Sequence, residues 1–139
     1  MIMKNFLSIV ILSFFLFSGC SSGEYSEILK DEYFTFSLGF DGEVERSKVT
    51  GNQIELVATY TSNNKGNILE NNIILIEGYE CSIDSLNPQS FQLGQELKIT
   101  ASCTDSFEES QIEGTLVLEY LQGSTQRLSQ AEFFLTVEE

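Results

Sequence analysis

Glu96-Leu-Lys-Ile-Thr-Ala-Ser-Cys103 is the stretch from which the fold is read. Leu97, Ile99, Ala101 and Cys103 fall on one face and Glu96, Lys98, Thr100 and Ser102 on the other. That is the period of two of a strand with one side in a core and the other in water. Working outward, the same period returns. Toward the C-terminus, Ile112, Leu116, Leu118 and Tyr120 share a face against Thr115, Val117 and Glu119, and Phe133, Leu135 and Val137 oppose Phe134, Thr136 and Glu138. Toward the N-terminus, Ile54, Leu56, Ala58 and Tyr60 alternate and run into the turn-forming segment Ser62 to Asn67. Phe34, Phe36, Leu38 and Phe40 alternate ahead of Asp41-Gly42, a dipeptide suited to a tight hairpin.

The return segment Glu43 to Val49 is mostly charged, as an edge strand is expected to be. The uninterrupted Ile73-Ile74-Leu75-Ile76 predicts a central strand covered on both faces. Pro88 marks a loop. About eight short strands over 33–139, with no amphipathic helix and no internal repeat, predict an all-β fold of two packed antiparallel sheets.

The 139 residues carry Lys+Arg 7 against Asp+Glu 21, a formal charge of -14, with no His. This length holds one small domain. Nucleic-acid affinity rests mainly on Lys and Arg neutralising phosphates, so so acidic a chain is not expected to bind nucleic acid. Without His, Ser-His-Asp, Cys-His and His-zinc chemistries are excluded. The 42% hydrophobic content is that of a globular protein, which makes the acidity a property of the surface.

The N-terminus has the features of a targeting segment. Lys4 is the only charge before Glu24, and the twelve residues Phe6 to Phe17 are apolar except for Ser8 and Ser13. Spanning a bilayer takes about 20 apolar residues, so this run is expected to be a secretion signal. It ends Leu16-Phe17-Ser18-Gly19-Cys20, followed by Ser21-Ser22-Gly23. This ending resembles the lipobox of prokaryotic lipoproteins, with Phe17 where the family usually has Leu. The resemblance implies cleavage before Cys20, lipid on its thiol, and contact with a membrane through that lipid. The organisation then expected is a signal peptide at 1–19, a lipidated Cys and acidic tether at 20–32, and a β-sandwich domain at 33–139. The alternatives are a plain secretory signal followed by Cys20, and a pilin-like N-terminus that keeps its apolar helix in a filament. Loss of Lys4 with the signal leaves 6 basic against 21 acidic residues, or -15, a balance that anionic lipid would repel.

With Cys20 assigned to lipid, Cys81 and Cys103 remain, and in an oxidising compartment they are expected to pair. Two free thiols or a metal site are the alternatives, although two cysteines without His make a poor zinc site. Cys103 faces inward with the core residues, so a bridge to Cys81 would tie together either two strands or two sheets. A second resemblance covers 80–139. Cys81-Ser-Ile-Asp-Ser-Leu86, Leu93-Gly-Gln-Glu-Leu-Lys-Ile99, Cys103 and Gly114-Thr-Leu-Val-Leu-Glu-Tyr120 are similar to the immunoglobulin-like β-domain of archaeal pilin-like and other cell-surface proteins. It implies an immunoglobulin-like antiparallel β-sandwich of about 7-8 strands, pairing of the two cysteines, and extracytoplasmic display in adhesion or assembly. It supplies no catalytic residues.

Carboxylates are the plentiful reactive groups. The doublets Asp31-Glu32, Glu108-Glu109 and Glu138-Glu139 point to opposite faces if extended, so they are not acid/base pairs aimed at one substrate. Glu43 and Glu45 would share a strand face, which is the basis for a carboxylate-dependent hydrolase as an alternative. Asp105, Glu108 and Glu109 are calcium candidates through their oxygens, although no Asp-x-Asp-x-Asp-Gly loop is present. Tyr33, Tyr79, Phe91, Phe107 and Phe134 exceed what the predicted core faces hold, and some are expected on a protein- or carbohydrate-binding surface. No cofactor is expected. The function expected is non-enzymatic: a lipid-anchored binding, adhesion or surface-assembly module of the cell envelope, facing the extracytoplasmic side. An accessory subunit of a pilus-like filament is the alternative.

Overall fold

The computed structural model describes residues 30–138. The predicted signal peptide at 1–19, Cys20 and the tether as far as residue 29 lie outside the described residues. From Tyr33 onward the chain is all-β: β1 (Tyr33–Phe36), β2 (Phe40–Gly42), β3 (Lys48–Thr50), β4 (Gln53–Tyr60), β5 (Gly66–Ile68), β6 (Ile73–Ile76), β7 (Cys81–Asn87), β8 (Ser90–Phe91), β9 (Glu96–Cys103), β10 (Gln111–Gln122) and β11 (Thr125–Glu138), with one 3-10 turn at Val44–Arg46. The alternating stretches of the sequence are the long strands β4, β9, β10 and β11. The three additional strands beyond the expected eight are the short pieces β2, β5 and β8, too brief to leave a period of two in the sequence.

The strands form one eleven-stranded sheet in the order β7-β9-β4-β3-β11-β10-β5-β8, with β1 on β11, β2 on β4 and β6 on β10. The expected purely antiparallel arrangement is corrected at one place. Val137 and Glu138 run parallel to Val49 and Thr50, which joins the β7-β9-β4-β3 half to the β11-β10 half. The inner faces of both halves meet in one core that includes Leu56, Leu97 and Ile99 from one and Leu116, Leu118, Phe133 and Leu135 from the other. All seven are fully buried. Each such side chain contributes roughly 1.5–3 kcal/mol relative to exposure.

One end of this core is aromatic. Phe40, Tyr60, Phe91 and Tyr120 pack edge-to-face or tilted, with ring centroids 4.6 Å apart for Tyr60 and Phe91 and 5.1 Å for Phe40 and Tyr120. The Tyr60 hydroxyl donates to the Asn64 carbonyl at 2.7 Å. The Tyr120 hydroxyl is buried without a hydrogen-bond partner among the described residues, and burial pushes this phenol up to about 12.

Several sequence expectations are corrected locally. Asp41-Gly42 is not a hairpin turn: both residues belong to β2 and pair with Thr59 and Ala58. The bend lies earlier, at Gly39, whose φ of 81° is left-handed and where a Cβ would collide with the Tyr120 hydroxyl. It carries the chain from its pairing with β11 to its pairing with β4, and it leaves Leu38 exposed rather than on the Phe34/Phe40 side. Glu43 to Val49 is not one return strand at an edge: it coils through the 3-10 turn, and only Lys48 and Val49 belong to a strand, β3, which lies between β4 and β11. The buried Ser47 hydroxyl donates to the Glu43 carbonyl and accepts from the Val57 N–H. Ile73–Ile76 is not central: β6 pairs with β10 on one side, Ile76 alone is bridged on the other, by Tyr79, and Ile73 and Leu75 are 51% and 57% exposed. Phe91 and Phe107, expected as surface candidates, are buried in the core.

Candidate functional site

Residues directly opposite in a ladder share a face of the sheet, so strand register fixes what each outer surface presents. On β1, β6, β10 and β11 the outward rows are Tyr33, Phe134 and Glu113; Thr35, Glu132, Thr115 and Leu75; Gln130, Val117 and Ile73; and Leu128 with Glu119. Six large apolar side chains are exposed among the described residues, and four of them, Tyr33, Ile73, Leu75 and Leu128, lie in these rows. Tyr33 stacks on Phe134 with centroids 5.8 Å apart. Three carboxylates, Glu113, Glu119 and Glu132, are interspersed, and no Lys or Arg stands in the rows. Desolvation first, and then the charges of Glu113 and Glu132, raise the Tyr33 phenol above its ordinary value.

The outer face of β3, β4, β9 and β7 is of a different kind, because its polar groups satisfy one another. Lys98 Nζ lies 2.9 Å from Glu55 Oε1, and Arg46 pairs with Glu96. The Ser102 hydroxyl donates to Asp84, and the hydroxyls of Ser85 and Thr100 are hydrogen-bonded. The hydrogen bond from Lys98, followed by its charge and that of Lys48, holds the Glu55 carboxyl below its ordinary range. One surface is thus internally neutralised, whereas the other is apolar and acidic.

Between the two halves, where β6 and β7 have no strand between them, lies an open cleft of about 1200 Å³. Glu77, Glu80, Glu109 and Glu113 line it together with Leu75 and Cys81, and no Lys or Arg does. The cysteine pair forms one flank. Cys81 and Cys103 are at disulfide distance, 1.98 Å between sulfurs, and stand opposite in the β7/β9 ladder. Of the two outcomes expected for a bridge, the structure has the one that ties two strands of a single sheet half.

Asp105, Glu108 and Glu109 occupy the β9–β10 connection. Tyr79 closes over it: its ring packs on Phe107 at 4.8 Å, its hydroxyl donates to Glu109 Oε1 at 2.5 Å, and it accepts from the Glu108 N–H at 3.1 Å. That hydrogen bond lowers the Glu109 carboxyl and raises the Tyr79 phenol relative to their ordinary values. Among the described residues no group of three or more His, Cys, Asp or Glu is arranged to hold a metal ion. Glu43 accepts from the Thr59 hydroxyl near one end of β4, while Phe107, in the Asp105–Glu109 connection, donates to the Gly51 carbonyl beyond the other. Six strand residues, Gln53 to Ala58, separate these points by roughly 20 Å, so the two carboxylate groups do not face a common substrate.

Of the five candidate surface aromatics, Tyr33 and Phe134 lie on this outer face, which also carries Ile73, Leu75 and Leu128. Their alternation with buried Ile74, Ile76 and Ser129 was the available signal. No helix among the described residues is long and apolar enough to cross a membrane. Compared with protein-family models, curated proteins and solved structures, the chain matches none.

Proposed function

We propose that this chain is a non-catalytic binding module held by lipid on Cys20 at the extracytoplasmic side of a prokaryotic membrane, serving adhesion or surface assembly. The observation that carries the binding role is the segregation just described: exposed Tyr33, Ile73, Leu75 and Leu128 gathered with three carboxylates on one outer face. Exposed apolar side chains concentrated on one face and rimmed by polar groups mark interaction sites. Export is supported by the Ser18-Gly19-Cys20 ending of an apolar run and by a cysteine pair at bonding distance, which persists in oxidising compartments.

The immunoglobulin-like form of the fold is part of this proposal. What supports it is strand order: β3-β4-β9-β7 corresponds to A-B-E-D of that architecture, and β6-β10-β11 to C-F-G. Here the cysteines link neighbours within one sheet, and the B–F bridge of antibody domains is absent. The test is protease treatment of intact cells or spheroplasts expressing the full chain. Loss of the domain without lysis supports outward display; protection until the membrane is broken overturns it.

A further inference from the structure

We infer that the concavity beside Arg127, at the end of the fold that carries the aromatic cluster, is a binding site for a carboxylated saccharide. This goes beyond the binding-module reading, since it uses neither the apolar outer face nor the lipid. Three stretches of chain meet there: the bend Leu38-Gly39, the β4–β5 connection from Thr61 to Asn64, and the β10–β11 hairpin at Gln122 and Arg127. They border about 570 Å³, and small-ligand sites measure roughly 300–1,000 Å³. The walls are held without the polar side chains that line them. The Thr61 N–H donates to the Gly39 carbonyl at 2.9 Å and the Gly123 N–H to the Lys65 carbonyl at 2.8 Å. The Tyr60 hydroxyl fixes the Asn64 carbonyl, and the Ser129 hydroxyl fixes that of Leu38. The side chains of Thr61, Asn63, Asn64, Gln122 and Arg127 are thereby left without a hydrogen bond or ion pair among the described residues. On the β7/β9 face, by contrast, such groups satisfy one another.

The ligand follows from charge and hydrogen-bonding capacity. The chain has 21 acidic against 7 basic residues, yet no Asp or Glu lines this concavity. Arg46 and Lys98 are ion-paired on the other sheet half, and Lys48 stands opposite Glu55. Arg127, and Lys65 next to Asn64, have no carboxylate partner among the described residues. Arg127 stands opposite Tyr120 in the ladder, on the core-facing side of β11, but is exposed because the core ends there. A guanidinium takes a carboxylate through two parallel hydrogen bonds. The amides of Asn63, Asn64 and Gln122 and the Thr61 hydroxyl both donate and accept, as the hydroxyls of a sugar ring require. Leu38, 39% exposed, offers an apolar contact to the C–H face of the ring. A peptide ending in a free carboxylate would need an apolar pocket for its last side chain, and Leu38 is the one large apolar residue in the lining. The chain's more distant carboxylates are screened beyond about 8 Å at physiological ionic strength.

The test titrates digalacturonate into the isotopically labelled full chain in non-ionic detergent, followed by amide NMR shifts. Saturable shifts centred on Gly39, Thr61 to Asn64, Gln122 and Arg127 are expected, with weakening of about tenfold by Arg127→Gln, the loss of one charge-assisted contact. The methyl ester of the same disaccharide, which lacks the charge, binds weaker by a similar factor. Arg46→Gln, the same substitution on the other sheet half, leaves affinity unchanged, and thermal melts establish that each variant folds. No saturable shifts, equal binding of the methyl ester, or equal weakening by Arg46→Gln overturns the inference. Binding of Ala-Ala-Ala with a free C-terminal carboxylate as tightly as the saccharide also overturns it, and would assign the concavity to chain ends. The anchor reading is tested separately at Cys20, so a lipidated chain that ignores the saccharide sinks only this inference.

Discussion

Cys81 and Cys103 stand directly opposite each other across β7 and β9, with Cα atoms 4.0 Å apart. The bond fastens an outermost strand, β7, to its only ladder partner, at the strand end that borders the cleft. The β7 edge has few other restraints, because besides Cys81 only Ile83 and Leu86 of its residues pack against the core.

Replacing both cysteines by Ser is expected to cost about 3 kcal/mol, the chain-entropy value for a loop of this size. Urea denaturation of the oxidised chain and the double variant measures it. Equal midpoints, or two cysteines that alkylate freely in the untreated protein, would contradict the bond.

The strands of the central ladder were legible in the sequence because Leu97, Ile99 and Ala101, or Leu116 and Leu118, alternate over enough residues for one face to be recognised. What lies across from a strand leaves no such signal. Ile73–Ile76 has the composition of a doubly covered strand, yet Ile73 and Leu75 are exposed on the outer face, because coverage depends on what the rest of the fold brings against that face. The turn was misplaced for a related reason. Asp41-Gly42 has hairpin chemistry, but the chain must pass from β11 to β4 at that point, and Gly39 is where Tyr120 leaves room for a bend without a Cβ. The acidic candidates were legible as residues but not as a site, since only the folded chain brings Glu77, Glu80 and Glu113 to one cleft.

Gly39→Ala therefore tests the corrected turn. It meets both the left-handed φ and the Tyr120 hydroxyl, and is expected to cost about 2–4 kcal/mol. Gly51→Ala has a φ of 62° with open space around it and should cost only about 1 kcal/mol. Comparable losses at both sites, measured by urea midpoints, would mean that the Tyr120 contact is unimportant.

Tyr120→Phe removes a buried hydroxyl that has no hydrogen-bond partner among the described residues. The expected effect is neutral to stabilising. Tyr60→Phe removes a made hydrogen bond to Asn64 and should cost about 1 kcal/mol. Thermal melts of the two variants against the parent check the order, and a larger loss at Tyr120 would contradict it.

Acid should weaken the Tyr79 closure. The Glu109 carboxyl titrates below its ordinary 4.5 in the folded chain, so its contribution is complete above the unfolded-state value and is lost as pH falls through the folded one. The stability difference between the parent and Glu109→Gln is expected at pH 7 and should shrink as pH falls below about 4. A difference independent of pH would assign Glu109 no such role.

The central claim is that an acidic binding domain is displayed outward on a lipid carried by Cys20. Mass spectrometry of the mature N-terminus, isolated from membranes of a prokaryotic host expressing the full chain, tests it most directly. A chain beginning at Cys20 with diacylglycerol on the thiol is the predicted result. An unmodified Cys20, or a mature chain that retains Phe6 to Phe17, would contradict it.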